Sequence, residues 1–226
     1  PLTELRMLYG SYRFECEFVS EAHLPPYKGS TIRGAFGHAL KQVACVLRRQ
    51  ACETCLLKER CLYTQVFEAH LLREHRKRTP NASTPHPFVL IPPLSEQAVY
   101  PPGEAFAIGL VLFGEVNHQM PYLVHTFQRM GAFGIGKGRS DGQGRFRLRQ
   151  VSSGEAIVFR DGDQTVNMAA CGEPIDQLII SGGGLTDPET PEECALRVRL
   201  LTPLRLKHDN RLETRLPFHL IVRAAL

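Results

Sequence analysis

The chain has 226 residues, 43% hydrophobic and 22% charged, with a formal net charge of +4, an ordinary balance that excludes a disordered or fibrous protein. No apolar run reaches the roughly 18 residues of a membrane span, and PLTELRMLYG at the N-terminus lacks the apolar core of a signal peptide, so a cytoplasmic protein with no membrane partner is expected. Charge is unevenly spread: Lys28 to Arg78 carries eleven Lys and Arg against four Glu, Arg129 to Arg149 six against Asp141 alone, and Ser152 to Leu196 nine acids against Arg160. The two basic blocks are a candidate nucleic-acid footprint.

Tyr12, Phe14, Cys16 and Phe18 alternate with polar residues and predict a strand, after which a turn through Pro25, Pro26 and Gly29 leads to a helix from about Ser30 or Thr31. At about 100° per residue, Ile32, Phe36, Ala39, Leu40, Val43 and Leu47 share one face of that helix. Gly34, His38, Lys41, Cys45, Arg48 and Arg49 share the other. Phe88 to Ile91, stopped by Pro92 and Pro93, and Phe106 to Phe113 read as strands; Pro121 to Met130 reads as a short helix ended by Gly131, and Arg145 to Val151 as a last strand. The order βαββαβ predicts an α+β, ferredoxin-like (RRM-like) domain over 1–152, with two helices on one face of a four-stranded antiparallel sheet and the cysteine cluster inserted. Residues 153–194 read as an acidic connector, with a hairpin formed by Ala156 to Phe159 and Gln164 to Met168 and a turn-rich stretch from Gly182 to Glu193. Residues 195–226 read as the start of a second, incomplete ferredoxin-like unit, with a strand at Leu196, Val198 and Leu200 and a helix from Pro217.

Three groups of residues carry chemistry. The first is GAFGIGKGRSDGQGRFRLR, from Gly131 to Arg149. Its glycines, Gly134, Gly136 and Gly138 among them, permit backbone conformations that bring N–H groups close to an anion, while Lys137, Arg139, Arg145, Arg147 and Arg149 add charge. It lacks the G-K-[ST] of a nucleotide P-loop, so a sugar-phosphate polyanion is the expected ligand; a flexible surface turn is the alternative. Arg145, Arg147 and Arg149 are expected on one face of their strand, with Phe146 and Leu148 on the core side. The second group is His38 and Lys41, three apart on a helix surface. A His that titrates near neutrality moves a proton and a Lys stabilises charge on a phosphoryl group, which suits metal-free RNA cleavage by a 2′-hydroxyl. A solvated His on a basic helix is the alternative, and Arg33, Arg48 and Arg49 extend the RNA-binding footprint. The third group is Cys45, Cys52, Cys55 and Cys61, spaced C-x6-C-x2-C-x5-C. Seven cysteines, four of them crowded together, suit a reduced compartment and a metal site. Structural zinc is the expected metal, an iron–sulfur cluster the other four-thiolate group, and free thiols the alternative. Cys16, Cys171 and Cys194 stand alone.

In this order, YKGSTIRGAFGHALK from Tyr27 to Lys41, CETCLLKERCLYTQVFE from Cys52 to Glu68, the GIGKGR loop and LLTPLRLK from Leu200 to Lys207 resemble the CRISPR-associated precursor-RNA processing endoribonucleases of the RAMP superfamily. The resemblance implies two ferredoxin-like domains, a glycine-rich loop that grips RNA, and cofactor-free cleavage of CRISPR repeat RNA to a 2′,3′-cyclic phosphate. It implies an acid–base His on the first helix, which falls on His38, with Lys41, Tyr27 and Lys28 as partners. Two rival classes remain: a non-catalytic RNA-binding RAMP subunit of a CRISPR effector complex, and a small metal or redox protein centred on the cysteines.

Overall fold

The computed structural model describes residues 7–75, 86–175, 207–208 and 211–212. The chain divides into one unit from Pro1 to Ser181 and another from Gly182 to Leu226. The first is a mixed α/β unit built on an antiparallel sheet. In chain order it comprises β1 (Leu8–Phe18), β2 (Ala22–His23), α1 (Gly29–Ala44), a 3-10 turn at Cys52–Thr54, α2 (Leu62–Phe67), β3 (Phe88–Ile91), β4 (Val99–Tyr100), β5 (Ala105–Phe113), α3 (Met120–Phe133), β6 (Phe146–Ser153), β7 (Ala156–Arg160) and β8 (Glu173–Pro174). The sheet runs β3-β5-β1-β6-β7 with β8 paired to the start of β1, while β2 and β4 pair separately. In the second unit Lys207–His208 pairs with Arg211–Leu212. The expected strand at Leu196, Val198 and Leu200, the helix from Pro217 and the stretch from Gly182 to Glu193 lie outside the described residues.

The two-residue period of a strand decides which face of the sheet is covered. Along β1, Tyr12, Phe14, Cys16 and Phe18 are buried and Arg13 is exposed. The antiparallel register sets Phe14 opposite Ile108 and Tyr12 opposite Leu110, so β5 buries the same face. Against it pack Ile32, Phe36, Ala39 and Leu40 of α1 and Leu123, Val124, Phe127 and Met130 of α3. The Phe127 ring stacks on Phe14 at 3.9 Å between centroids and lies 5.5 Å from Phe36, tying sheet and both helices together. Removing a fully buried ring of this kind costs about 3–5 kcal/mol. Inside, the Tyr12 hydroxyl donates to Asn117 Oδ1 at 2.7 Å and the Asn117 amide donates to the Gly114 carbonyl at 2.9 Å, while the buried Tyr100 hydroxyl has no hydrogen-bond partner among the described residues.

Several boundaries differ from expectation. The helix α3 runs through Gly131 to Phe133 and stops at Gly134, whose φ of 79° ends it. Gly131 is there for close packing, because a Cβ at that position would strike the Phe146 carbonyl. The helix α1 ends at Ala44, with Cys45 already extended, so Leu47, Arg48 and Arg49 leave the helical faces assigned to them. Residues 153–174 do not form a connector: β7 extends the sheet beside β6 and β8 pairs with β1. The expected hairpin partner Gln164 to Met168 forms no strand; this segment instead runs along β7, with the Asn167 N–H donating to Val158 O at 2.9 Å and Asp163 Oδ2 accepting from the Arg160 N–H at 2.7 Å. At the other end of the sheet, β3 is only four residues long and sits between Pro87 and Pro92.

Candidate functional site

Five loop glycines, Gly134, Gly136, Gly138, Gly142 and Gly144, have φ between 70° and 86°, a region side chains avoid. At Gly136 and Gly144 a Cβ would also strike the carbonyls of His23 and Ile135. The loop is braced rather than slack. The Lys137 N–H donates to His23 O at 3.0 Å, the Ile135 N–H to Gly144 O at 2.9 Å and the Gly144 N–H to Glu21 O at 2.8 Å. The Ser20 hydroxyl donates to Gly142 O and accepts from the Arg145 N–H, and Ile135 is wholly buried beneath. These N–H groups are spent on the fold, and the charges the loop presents are side chains. Lys137 and Arg139 are exposed and carry no ion pair among the described residues.

Opposite the loop, Ser30, Gly34 and His38 lie four residues apart and present one exposed face of α1. Ser30, Thr31, Gly34, Ala35 and His38 form one wall of an open groove of about 420 Å3; Gly136 and Arg139 form the other. Its N-terminal end carries neither a side-chain cap nor an acidic residue in the first turn of α1, which leaves the positive helix end open to an anion. His38 is oriented by two neighbours. Its Nε2 lies 2.9 Å from the Gln42 amide nitrogen. Its ring meets Phe133 edge-on at 6.0 Å, and the Arg129 guanidinium lies 4.7 Å from the centre of that same Phe133 ring. At Gly34 a Cβ would meet nothing within 4 Å. A mid-helix glycine costs about 1 kcal/mol relative to alanine, so this position keeps open space at the expense of helix stability. The groove thus sets an imidazole, His38, on one wall and a guanidinium, Arg139, on the other.

The remaining expected site residues divide. Lys41 lies 5.2 Å over the Tyr63 ring of α2 and outside the groove, a cation–π contact that separates it from the expected pairing with His38. Tyr27 is half-exposed and folds its ring over Gly29, again outside the groove. Lys28, expected on the RNA surface, is wholly buried: its ammonium donates to the carbonyls of Pro26 and Ser95 and lies 5.6 Å over Tyr100, fastening the start of α1. Arg33 stacks on Phe67 and Phe88 at 5.2 and 4.9 Å instead of lining the groove. Arg48, donating to the Gln42 carbonyl, and Arg49 border a separate depression beyond the helix end. Along β6 the expected alternation holds, with Arg145, Arg147 and Arg149 exposed and Phe146 and Leu148 buried. The row does not serve the groove, however. Arg147 and Arg149 project from the face turned away from the helices, where Arg149 holds both Glu17 oxygens at 3.0 and 3.1 Å and Asp161 at 3.2 Å, and Arg147 is 3.9 Å from Asp161. The same bonds hold the Glu17 carboxyl below its ordinary range. Gln42 and Phe133, which touch His38, and Arg129, which touches Phe133, are the neighbours that sequence reasoning missed; their signal is the four-residue spacing of His38 to Gln42 and of Arg129 to Phe133.

The four clustered cysteines stand at junctions: Cys45 at the end of α1, Cys52 and Cys55 at the two ends of the 3-10 turn, Cys61 before α2, all half-buried. Burial pushes the Cys52 thiol up; Lys41 acts in the opposite sense, and Cys45 and Cys61 are near enough to add to the rise. Among the described residues no three Cys, His, Asp or Glu converge closely enough to hold a metal as they stand. Cys16 and Cys171 are buried, and burial raises Cys171 to about 11. Cys194 lies outside the described residues.

The family model described as "AF_1859_N: N-terminal domain" matches residues 5–170. A protein of Archaeoglobus fulgidus described as "Uncharacterized protein" is 29% identical over 119 residues, which are 52% of this chain and 39% of that protein, so the match spans less than half of the relative. Among solved structures, a chain of the "Cryo-EM structure of the Type III-B Cmr-beta bound to cognate target RNA" is similar at 14% identity and a TM-score of 0.38, over 65% of this chain and 61% of that one. No described helix is long and apolar enough to cross a membrane.

Proposed function

The chain belongs to the AF_1859_N family, and we propose that its first unit is a ferredoxin-like RNA-binding domain that cleaves CRISPR repeat RNA in the groove between α1 and the glycine-rich loop. The sheet order β3-β5-β1-β6, with α1 and α3 on one face, supports the ferredoxin-like reading of the βαββαβ core. The observation that carries the functional reading is His38 facing Arg139 across the groove. The order of motifs from Tyr27 to Lys207, which resembles the RAMP-superfamily endoribonucleases, supplies the substrate class.

In this reading the sugar-phosphate backbone lies along the Ser30–Gly34–His38 face. Gly34 lets the backbone come close, and Lys137 and Arg139 hold phosphates from the loop side. His38, steadied by Gln42 and Phe133, moves the proton between the attacking 2′-hydroxyl and the leaving 5′-oxygen. Arg139 stabilises the charge that builds on the phosphoryl oxygens, and the product is a 2′,3′-cyclic phosphate. A second reading, RNA binding without cleavage as a subunit of a CRISPR effector complex, is favoured by Lys41 sitting over Tyr63 instead of beside His38. One denaturing gel separates the two. A CRISPR repeat transcript incubated with the chain in EDTA is expected to be cut, and His38→Ala is expected to slow cutting by about 10²–10⁴ with RNA affinity nearly intact. Binding without cutting by the wild-type chain would leave the second reading, and full activity in His38→Ala would remove His38 from the mechanism.

A further inference from the structure

Residues 46–60 contain no buried side chain. Their apolar members face solvent, with Val46 78%, Leu47 36%, Leu56 86% and Leu57 39% exposed. Within that stretch only Cys52, Cys55 and Lys58 are partly covered, and Cys45 and Cys61 bracket it in the same state. The positions where a folded loop would place hydrophobes are therefore held by thiols. Its backbone hydrogen bonds are single local turns, such as Cys55 N–H to Cys52 O, Lys58 N–H to Cys55 O and Arg60 N–H to Leu57 O. Local turns do not offset the entropy of ordering such a length of chain, and segments too small for an apolar core are held by a metal or a cross-link.

We propose that Cys45, Cys52, Cys55 and Cys61 bind one zinc ion as four thiolates, and that this ion organises the segment joining α1 to α2. The 3-10 turn sets Cys52 and Cys55 as a C-x2-C half-site, and the end of α1 and the start of α2 each present one more thiol. Zinc with four thiolates carries two negative charges, and Lys41, whose charge already acts on Cys52, offsets part of them. Since the thiols do not yet converge, loading must draw the loop inward. The proposal is independent of RNA binding.

The test uses the full chain purified without chelator. Elemental analysis should find about one zinc per chain. Cobalt(II) added to the stripped protein should give thiolate charge-transfer and tetrahedral d–d bands, and chelation should make four further thiols reactive and expose the loop to protease. Cys52→Ser and Cys55→Ser should each lose the cobalt bands, whereas Cys171→Ser, which keeps the hydrogen bond to Asn167 O, should retain them. If either loop variant fails to fold, the cobalt spectrum and thiol count of the wild-type chain decide alone. Absence of both metal and cobalt bands, an iron–sulfur absorption, or bands that survive in both loop variants would overturn the proposal.

Discussion

Gly34→Ala separates stability from binding at one atom. Gly34 is exposed, sits within the 16-residue helix α1 and lines the groove, and an added Cβ meets nothing within 4 Å. The free protein should gain close to the full helix-propensity difference, about 1 kcal/mol. For a chain of this size that corresponds to a melting temperature higher by roughly 2–4 °C. The RNA complex should respond in the opposite direction. A methyl group where a sugar-phosphate backbone approaches overpacks the contact by about 1–3 kcal/mol, so affinity should fall by about 5- to 150-fold. Thermal melts by circular dichroism and fluorescence-anisotropy titration with a labelled repeat RNA read the two effects on one preparation. A raised melting temperature with unchanged affinity would refute the idea that RNA passes over this helix face, and a lowered one would refute the open space at Gly34.

The other expectations concern charge. Replacing Lys137 and Arg139 together by Ala should weaken RNA binding across sequences and flatten the log–log salt dependence by a little under one unit per lost phosphate contact, measured by titration at several salt concentrations. The same titrations on a double Arg147→Ala, Arg149→Ala variant should show little change, because those guanidinium groups are already paired with Glu17 and Asp161. Lys28→Met should destabilise the fold by about 1–3 kcal/mol in a urea melt, since it strips hydrogen bonds from the buried carbonyls of Pro26 and Ser95, while the folded fraction should bind RNA normally.

What could be seen in the sequence was whatever local periodicity controls. Alternation from Tyr12 to Phe18 set the buried face of β1, and helical spacing put His38 and Gly34 on the outward face of α1. The end of α1 was hidden because Val43 to Arg49 continues the helical pattern without glycine or proline to break it. Gly131 misled for the opposite reason: it resembles a helix stop but exists to let α3 approach β6. Lys28 gives no hint of burial, since its partners lie partly on the segment before β4, far along the chain. The pairing of Arg149 with Glu17 depends on the β1–β6 register, and the capture of Lys41 by Tyr63 on how α2 returns to α1. Each is a contact between distant segments, which neither charge counts nor periodicity encode.

The two ends of the main sheet limit how this unit can associate. A bare edge strand is a template for another chain, and continuation of that kind is how soluble proteins form filaments and swapped dimers. Here β3 offers four residues between Pro87 and Pro92, too short a ledge, with imino nitrogens that donate no hydrogen bond at either side. On the opposite side, the main-chain groups of Val158 and Arg160 are occupied by Asn167 and Asp163 of the same chain. Among the described residues neither end of the sheet leaves a long free edge, which disfavours assembly by continuing the sheet and favours docking through side-chain surfaces, where single substitutions tune affinity without exposing the fold to aggregation.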